Sequence, residues 1–101
     1  MAAMNRDEII GKLKECEADL RARGVAHAAL FGSRARGDDR SDSDIDIMVE
    51  IEPEAHVGVW GYTAIVHAIE DMFPLPVDVS DRAAQKPHVR PSAEREAIYA
   101  F

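Results

Sequence analysis

The 101 residues predict an α+β fold, a small mixed β-sheet of three to four strands with helices packed on one face. Three observations carry that prediction. Apolar residues alternate strictly from Ser43 to Glu52, they recur at helical spacing from Asn5 to Arg23 and again from Val57 to Phe73, and shorter apolar runs stand between these stretches. Helices and strands that alternate along so short a chain pack as one layered domain, residues 1–101.

The first helix runs from Asn5 or Asp7 to Arg23, with Ile9, Leu13, Cys16 and Leu20 on one side and Gly24 as its stop. Val25 to Phe31 is a short apolar run ended by Gly32, hence a strand; Ser33 to Gly37 then opens a short helix or turn, and Asp38 to Asp42 is a polar loop. From Ser43 to Glu52, Ile45, Ile47, Val49 and Ile51 face one side while Asp44, Asp46, Met48, Glu50 and Glu52 face the other; Pro53 ends the strand. Val57 to Phe73 is the next helix. Trp60 or Gly61, Ile65, Ile69 and Met72 or Phe73 form its buried side, Trp60 is expected in the core, and Gly58 and Gly61 weaken its first turns. Leu75 to Val79 is a third strand whose pairing Pro76 limits at the start. A last helix is expected from Pro91 or Ser92 to Ala100, with Ala93, Ala97, Ile98 and Phe101 as its contacts. No repeat, linker or low-complexity tract interrupts this α-β-α-β-α-β-α order.

Composition narrows the class. An apolar fraction of 47% and a charged fraction of 31% are those of a globular chain. A domain this small buries only about 60–70% of its unfolded surface, so a partner or self-association helps it. No run of about 18 apolar residues offers a membrane span, and the first residues lack the apolar stretch of a secretory signal. The single Cys16 forms no internal disulfide, which fits a cytoplasmic setting, and reads as a small half-buried helix residue. A net charge of −7 argues against direct nucleic-acid binding. Eight acidic residues lie between Asp38 and Glu54, interleaved with Arg34, Arg36 and Arg40.

The spacing within that acidic stretch points to chemistry. Side chains at i and i+2 of a strand lie on one face, roughly 7 Å apart at Cα, so Asp44 and Asp46 share a volume above the sheet. Their mutual repulsion is relieved by a hard divalent cation such as Mg²⁺, which takes one or two carboxylates plus substrate phosphates. Asp78 has the same parity relative to Val77 and Val79 and is the candidate third carboxylate of a two-metal site, in which the ions lie about 3.5–4 Å apart. Asp81 is a weaker alternative, being expected beyond the strand.

Gly32 lets backbone approach a ligand, Ser33 offers a hydroxyl, and the amides that follow open a helix N-terminus suited to phosphate. Arg34 and Arg36 can add charge-assisted bonds. These parts suit nucleotidyl transfer: an acceptor hydroxyl attacks the α-phosphorus of a nucleoside triphosphate, pyrophosphate leaves and an Asp takes the proton. Three rival motifs fail. Asp38 and Asp39 stand where a P-loop needs Lys and Ser or Thr, Ile47 and Pro53 break a calcium loop started at Asp42, and His27, His56, His67 and His88 are too scattered for zinc.

The stretches Gly32-Ser33-Arg34-Ala35-Arg36-Gly37 and Ser43-Asp44-Ile45-Asp46-Ile47 resemble the signature of the DNA polymerase β-like nucleotidyltransferase superfamily. The short length, the Val77-Asp78-Val79 strand and the ending Arg95-Glu96-Ala97-Ile98-Tyr99 look like its minimal nucleotidyltransferase branch. That resemblance implies the nucleotidyltransferase fold and an antitoxin that transfers AMP from ATP to a tyrosine of an all-helical HEPN-domain RNase toxin. By motif match it gives Asp44, Asp46 and Asp78 the metals, and Gly32 and Ser33 the triphosphate. The toxin's own Arg-x4-His-x-Tyr motif is absent, so this chain is not the RNase. Two other readings stand beside it: an antitoxin acting by complex formation alone, and transfer to a small molecule. No second, acceptor-binding domain is visible, which favours a protein acceptor over a small one. Trp60, Tyr62, Arg82, Lys86 and Arg90 are candidates for a partner surface, with core packing and a solvated tail as their ordinary roles.

Overall fold

The computed structural model describes residues 5–32, 44–82 and 97–101. Ser33, Arg34, the loop to Asp42, and the tail as far as Glu96 lie outside these described residues, as do Lys86, His88 and Arg90.

The first helical stretch forms as α1 (Arg6–Glu15) and α2 (Glu17–Ala22). Asn5 starts α1 with a capping box. Its side-chain oxygen accepts the Glu8 N–H at 2.8 Å while the Glu8 carboxylate accepts the Asn5 N–H, which satisfies two of the helix's orphan donors. The expected single helix is interrupted at Cys16, whose N–H bonds the Leu13 carbonyl as well as that of Lys12 and so tightens the turn. The interruption is one residue wide, and the stripe Ile9, Leu13 and Leu20 stays buried across it. Gly24 ends α2 with φ +107, a conformation an L side chain avoids, and a Cβ there would run into Val57.

Four strands follow, β1 (Val25–Phe31), β2 (Ile45–Ile51), β3 (Val77–Asp81) and β4 (Ile98–Tyr99), in the spatial order β3-β2-β1-β4. β1 runs antiparallel to β2 and β4, and β2 runs parallel to β3. The parallel pair requires a crossover, supplied by a 3₁₀ turn at Pro53–Ala55 and by α3 (Val59–Glu70). The sheet is therefore mixed, as the alternation predicts.

Ile98–Tyr99 is strand, where the sequence suggests helix. Ala29 and Leu30 pair with it, and the Ala100 N–H reaches the Ala28 carbonyl at 2.8 Å. Pairing to an existing edge overrides a weak local helix preference. Asp81 likewise belongs to β3 and is not beyond it.

The helices cover one face of the sheet. Ile9, Leu13 and Leu20 from the first two helices, and Ile65 and Ile69 from α3 with Phe73 just beyond it, meet Val25, Ala28, Leu30, Ile45, Ile47 and Val49 of the strands. Cys16 packs half-buried at the edge of this core. Trp60 is not in it. It is 86% exposed, because at 3.6 residues per turn it points about 140° away from Ile65, whereas Gly61 falls on the buried side. No helix among the described residues is long and apolar enough to cross a membrane.

Candidate active site

Strand parity sorts the second face of the sheet, away from the helices. Ile45, Ile47 and Val49 join the helix-side core, so Asp46, Met48 and Glu50 lie on the opposite face. The β2–β3 register pairs Asp46 with Asp78 and Met48 with Ser80, and the β1–β2 register pairs Phe31 with Asp46, Ala29 with Met48 and His27 with Glu50. The face therefore carries three rows. Phe31, Asp46 and Asp78 form one end; the middle is Ala29 and Met48, both buried, with Ser80, half-buried; His27 and Glu50 form the far end.

At the first end, Asp46 and Asp78 stand side by side on adjacent strands, roughly 4.8 Å apart at Cα. Asp46 is half-buried in the inner strand and Asp78 is exposed on β3. Asp44 is exposed one residue before β2. Gly32 follows Phe31 directly and turns the chain over Asp46. Its φ is +79, and a Cβ built there would stand 3.2 Å from the Asp46 Cγ and closer still to Oδ2. Glycine is required at Gly32 both by the left-handed backbone and by the carboxylate packed against it.

Of the residues singled out from sequence, Gly32, Asp46 and Asp78 are thus brought together, with Asp44 at the strand entrance. Ser33 and Arg34 fall outside the described residues. Among the described residues no three His, Cys, Asp or Glu side chains surround a single cation position. What the geometry offers a hard cation is the Asp46–Asp78 pair. Asp81 is excluded from it by parity, since it shares the helix side of β3 with Val77 and Val79.

The far end of the same face was not legible as a site. There a cavity of about 420 Å³ is lined by His27, Glu50, Arg82, Tyr99 and Phe101. Arg82 is not a solvated tail residue but bonds the Glu50 carboxylate at 3.3 Å, half-buried. His27 packs edge-on against Tyr99 with ring centroids 6.0 Å apart, and its Nδ1 lies 3.2 Å from the Phe101 carbonyl. The signal was present as parity, because Glu50 lies four residues from Asp46, but the partners come from distant segments. On the helix side, Tyr62 of α3 is half-buried. Burial, then the Asp81 carboxylate, then that of Asp78, push its phenol above the ordinary value of 10, so it stays a neutral donor.

The described residues thus form a mixed sheet with helices on one face, and with the Asp46–Asp78 pair beside the Gly32 turn on the other. Comparison with known proteins makes the class specific. A nucleotidyltransferase domain family model matches residues 10–100. The protein adenylyltransferase MntA of Thermococcus cleftensis is 30% identical over 100 residues, covering 98% of this chain and 99% of the relative. Protein MJ1379 of Methanocaldococcus jannaschii, provisionally assigned as a protein adenylyltransferase, is 37% identical over 76 residues, 74% of this chain and 76% of its own. A solved structure of a provisionally assigned minimal nucleotidyltransferase superposes with a TM-score of 0.79 at 26% identity, covering 94% of this chain and 95% of that one. A toxin–antitoxin crystallised with AMP-PNP shares the fold at a TM-score of 0.67 and 18% identity, over 87% of this chain and 72% of that one. The chain belongs to the nucleotidyltransferase domain family. It is a nucleotidyltransferase of the minimal, single-sheet kind.

Proposed function

We propose that this nucleotidyltransferase is the antitoxin of a toxin–antitoxin pair and transfers AMP from ATP to a tyrosine of its partner, a HEPN-domain RNase. The observation that carries the chemistry is the register of Asp46 against Asp78, with Gly32 bare beside them. The protein acceptor is supported by full-length similarity to the protein adenylyltransferase MntA and by the fold shared with a toxin–antitoxin complex.

In this reading Asp44, Asp46 and Asp78 are the residues that would hold Mg²⁺, which usually takes one or two carboxylates plus phosphate oxygens. When bound, the metal would supply positive charge that offsets the charge developing on the transferred phosphate. Gly32 leaves room for the triphosphate over Asp46, and Ser33 and Arg34 hold its outer phosphates. The tyrosine oxygen forms a bond to the α-phosphorus, the bond from that phosphorus to the α–β bridging oxygen breaks, and pyrophosphate departs. Asp78, exposed on β3, takes the phenolic proton. The residues act chiefly by positioning and electrostatics.

The test is an intact mass of the partner after incubation with this protein, ATP and Mg²⁺. An AMP-sized adduct on a tyrosine is expected, and Asp78→Asn should lower its rate by a hundredfold or more. An adduct indifferent to Asp44→Ala with Asp46→Ala would sink the reading. Neutralisation of the toxin by that same double variant, without any adduct, would replace it with action by complex formation alone.

A further inference from the structure

Two adjacent side chains at the start of α3 are the most exposed large apolar residues among the described residues. Val59 is 78% exposed and Trp60 86% exposed, and Trp60 is the only tryptophan of the chain. The local sequence does not favour the helix it begins. Gly58 caps α3 without a side-chain hydrogen bond, and Gly61 in the first turn costs about 1 kcal/mol relative to alanine, a residue whose Cβ would stand 3.1 Å from the Val57 Cγ1. Among the described residues nothing asks for the smallest side chain at Gly58, since its φ is ordinary and a Cβ there would meet no atom within 4 Å. Gly58 is thus unexplained by the packing around it, in a segment that exposes two adjacent apolar side chains, and such an exposed apolar patch marks a contact surface.

The surroundings define what it contacts. Beside the exposed pair runs a groove of about 310 Å³ walled by Ile51, Val57, Val59 and Tyr62, with Asp81 at its edge. Glu52 and Glu54, both exposed, lie on the turn between β2 and α3. The patch is thus an apolar knob and slot with an acidic border, on a chain of net charge −7. It lies near the end of β2 remote from Asp46, roughly 17 Å along the strand at about 3.3 Å per residue. A small-molecule acceptor held at Asp46 does not reach that far, whereas a protein does.

We infer that Val59, Trp60 and the adjoining groove dock the protein that receives the nucleotidyl group, through an apolar socket on that protein with Lys or Arg facing Asp81 at the groove edge. The inference rests on the proposed protein acceptor and adds where on this chain it is held. Docking at a distance supplies the selectivity that a bare phenol at the carboxylates lacks. It acts on acceptor affinity, so its loss raises KM for the acceptor and leaves kcat nearly unchanged.

The sole tryptophan makes the test direct. The chain is labelled with 5-fluorotryptophan and mixed with a purified HEPN-domain RNase toxin from the same organism, ATP and Mg²⁺, and the single ¹⁹F resonance is followed while adduct formation is read by mass. Expected results are a shift and loss of solvent accessibility of that resonance on complex formation. Trp60→Ala should weaken the complex, and raise the acceptor KM, by about tenfold or more, with thermal stability unchanged because the side chain is exposed. An adduct that forms while the Trp60 resonance stays solvent-accessible overturns the docking site and leaves the adenylyltransferase reading intact. A buried Trp60 with no adduct does the reverse. Burial of Trp60 by the chain alone as its concentration rises shows a self-association surface and also overturns the proposal.

Discussion

Replacing Gly32 with alanine isolates the contact on which the site is built. The added Cβ meets two separate penalties. At φ +79 a side chain costs about 1–2 kcal/mol from backbone crowding. The Cβ also stands 3.2 Å from the Asp46 Cγ and closer to Oδ2, so Asp46 must leave its rotamer, at about 0.5–1.5 kcal/mol. The sum is about 1.5–3.5 kcal/mol, or on the order of 10 °C in Tm for a domain of this size. A double-mutant cycle separates the two parts. With Asp46→Ala in the background, the carboxylate is gone and the remaining Cβ–Cβ distance of 3.4 Å is close to ordinary contact. Gly32→Ala should then cost only its backbone part, giving a coupling of about 0.5–1.5 kcal/mol. Thermal and urea unfolding followed by circular dichroism measure all four corners. Transfer activity should fall further than stability, by tenfold or more, because a carboxylate displaced by about 1 Å no longer meets its ligand. Equal losses in both backgrounds would show that Gly32 is needed for its backbone alone. An unchanged Tm in either background would refute the reasoning altogether.

Two further perturbations probe the frame around the site. Ile47 is fully buried between Asp46 and Met48, and Ile47→Ala should cost about 2–5 kcal/mol by urea unfolding, while Glu54→Ala, exposed, should stay within about 0.5 kcal/mol. Tyr62 has its folded value raised above the unfolded one, so its contribution to stability is full below about pH 10 and disappears as pH rises through the folded value. Denaturation midpoints taken between about pH 8 and pH 11 should decline at the alkaline end for the wild type and decline less for Tyr62→Phe; parallel curves would contradict the assigned burial.

The parts of the site that are close in sequence were legible without a structure. Asp44 and Asp46 declare their shared face through period-two alternation with Ile45 and Ile47, and Gly32 announces a strand end. Asp78 was legible because it too sits between apolar neighbours, at Val77 and Val79. Two of the features misread depend on distant segments. Ile98 and Tyr99 look helical in isolation, yet Ala29 and Leu30 present an unpaired strand edge that captures them. Arg82 looks like part of a solvated tail until Glu50 is found 3.3 Å away. Trp60 is a different case: its exposure follows from the helical angle to Ile65, and composition alone misleads by treating tryptophan as core.

By itself, the sequence determined which residues share a face, because side-chain direction follows from backbone period over a few residues. Only the tertiary structure decided which faces meet. Pairing register between β2 and β3 turns two separate strand carboxylates into the Asp46–Asp78 pair, and the turn after β1 brings Gly32 against one of them. Register is a property of two strands together, set by burial of Ile45, Ile47 and Val49 against the helices, and no local pattern within one strand contains it.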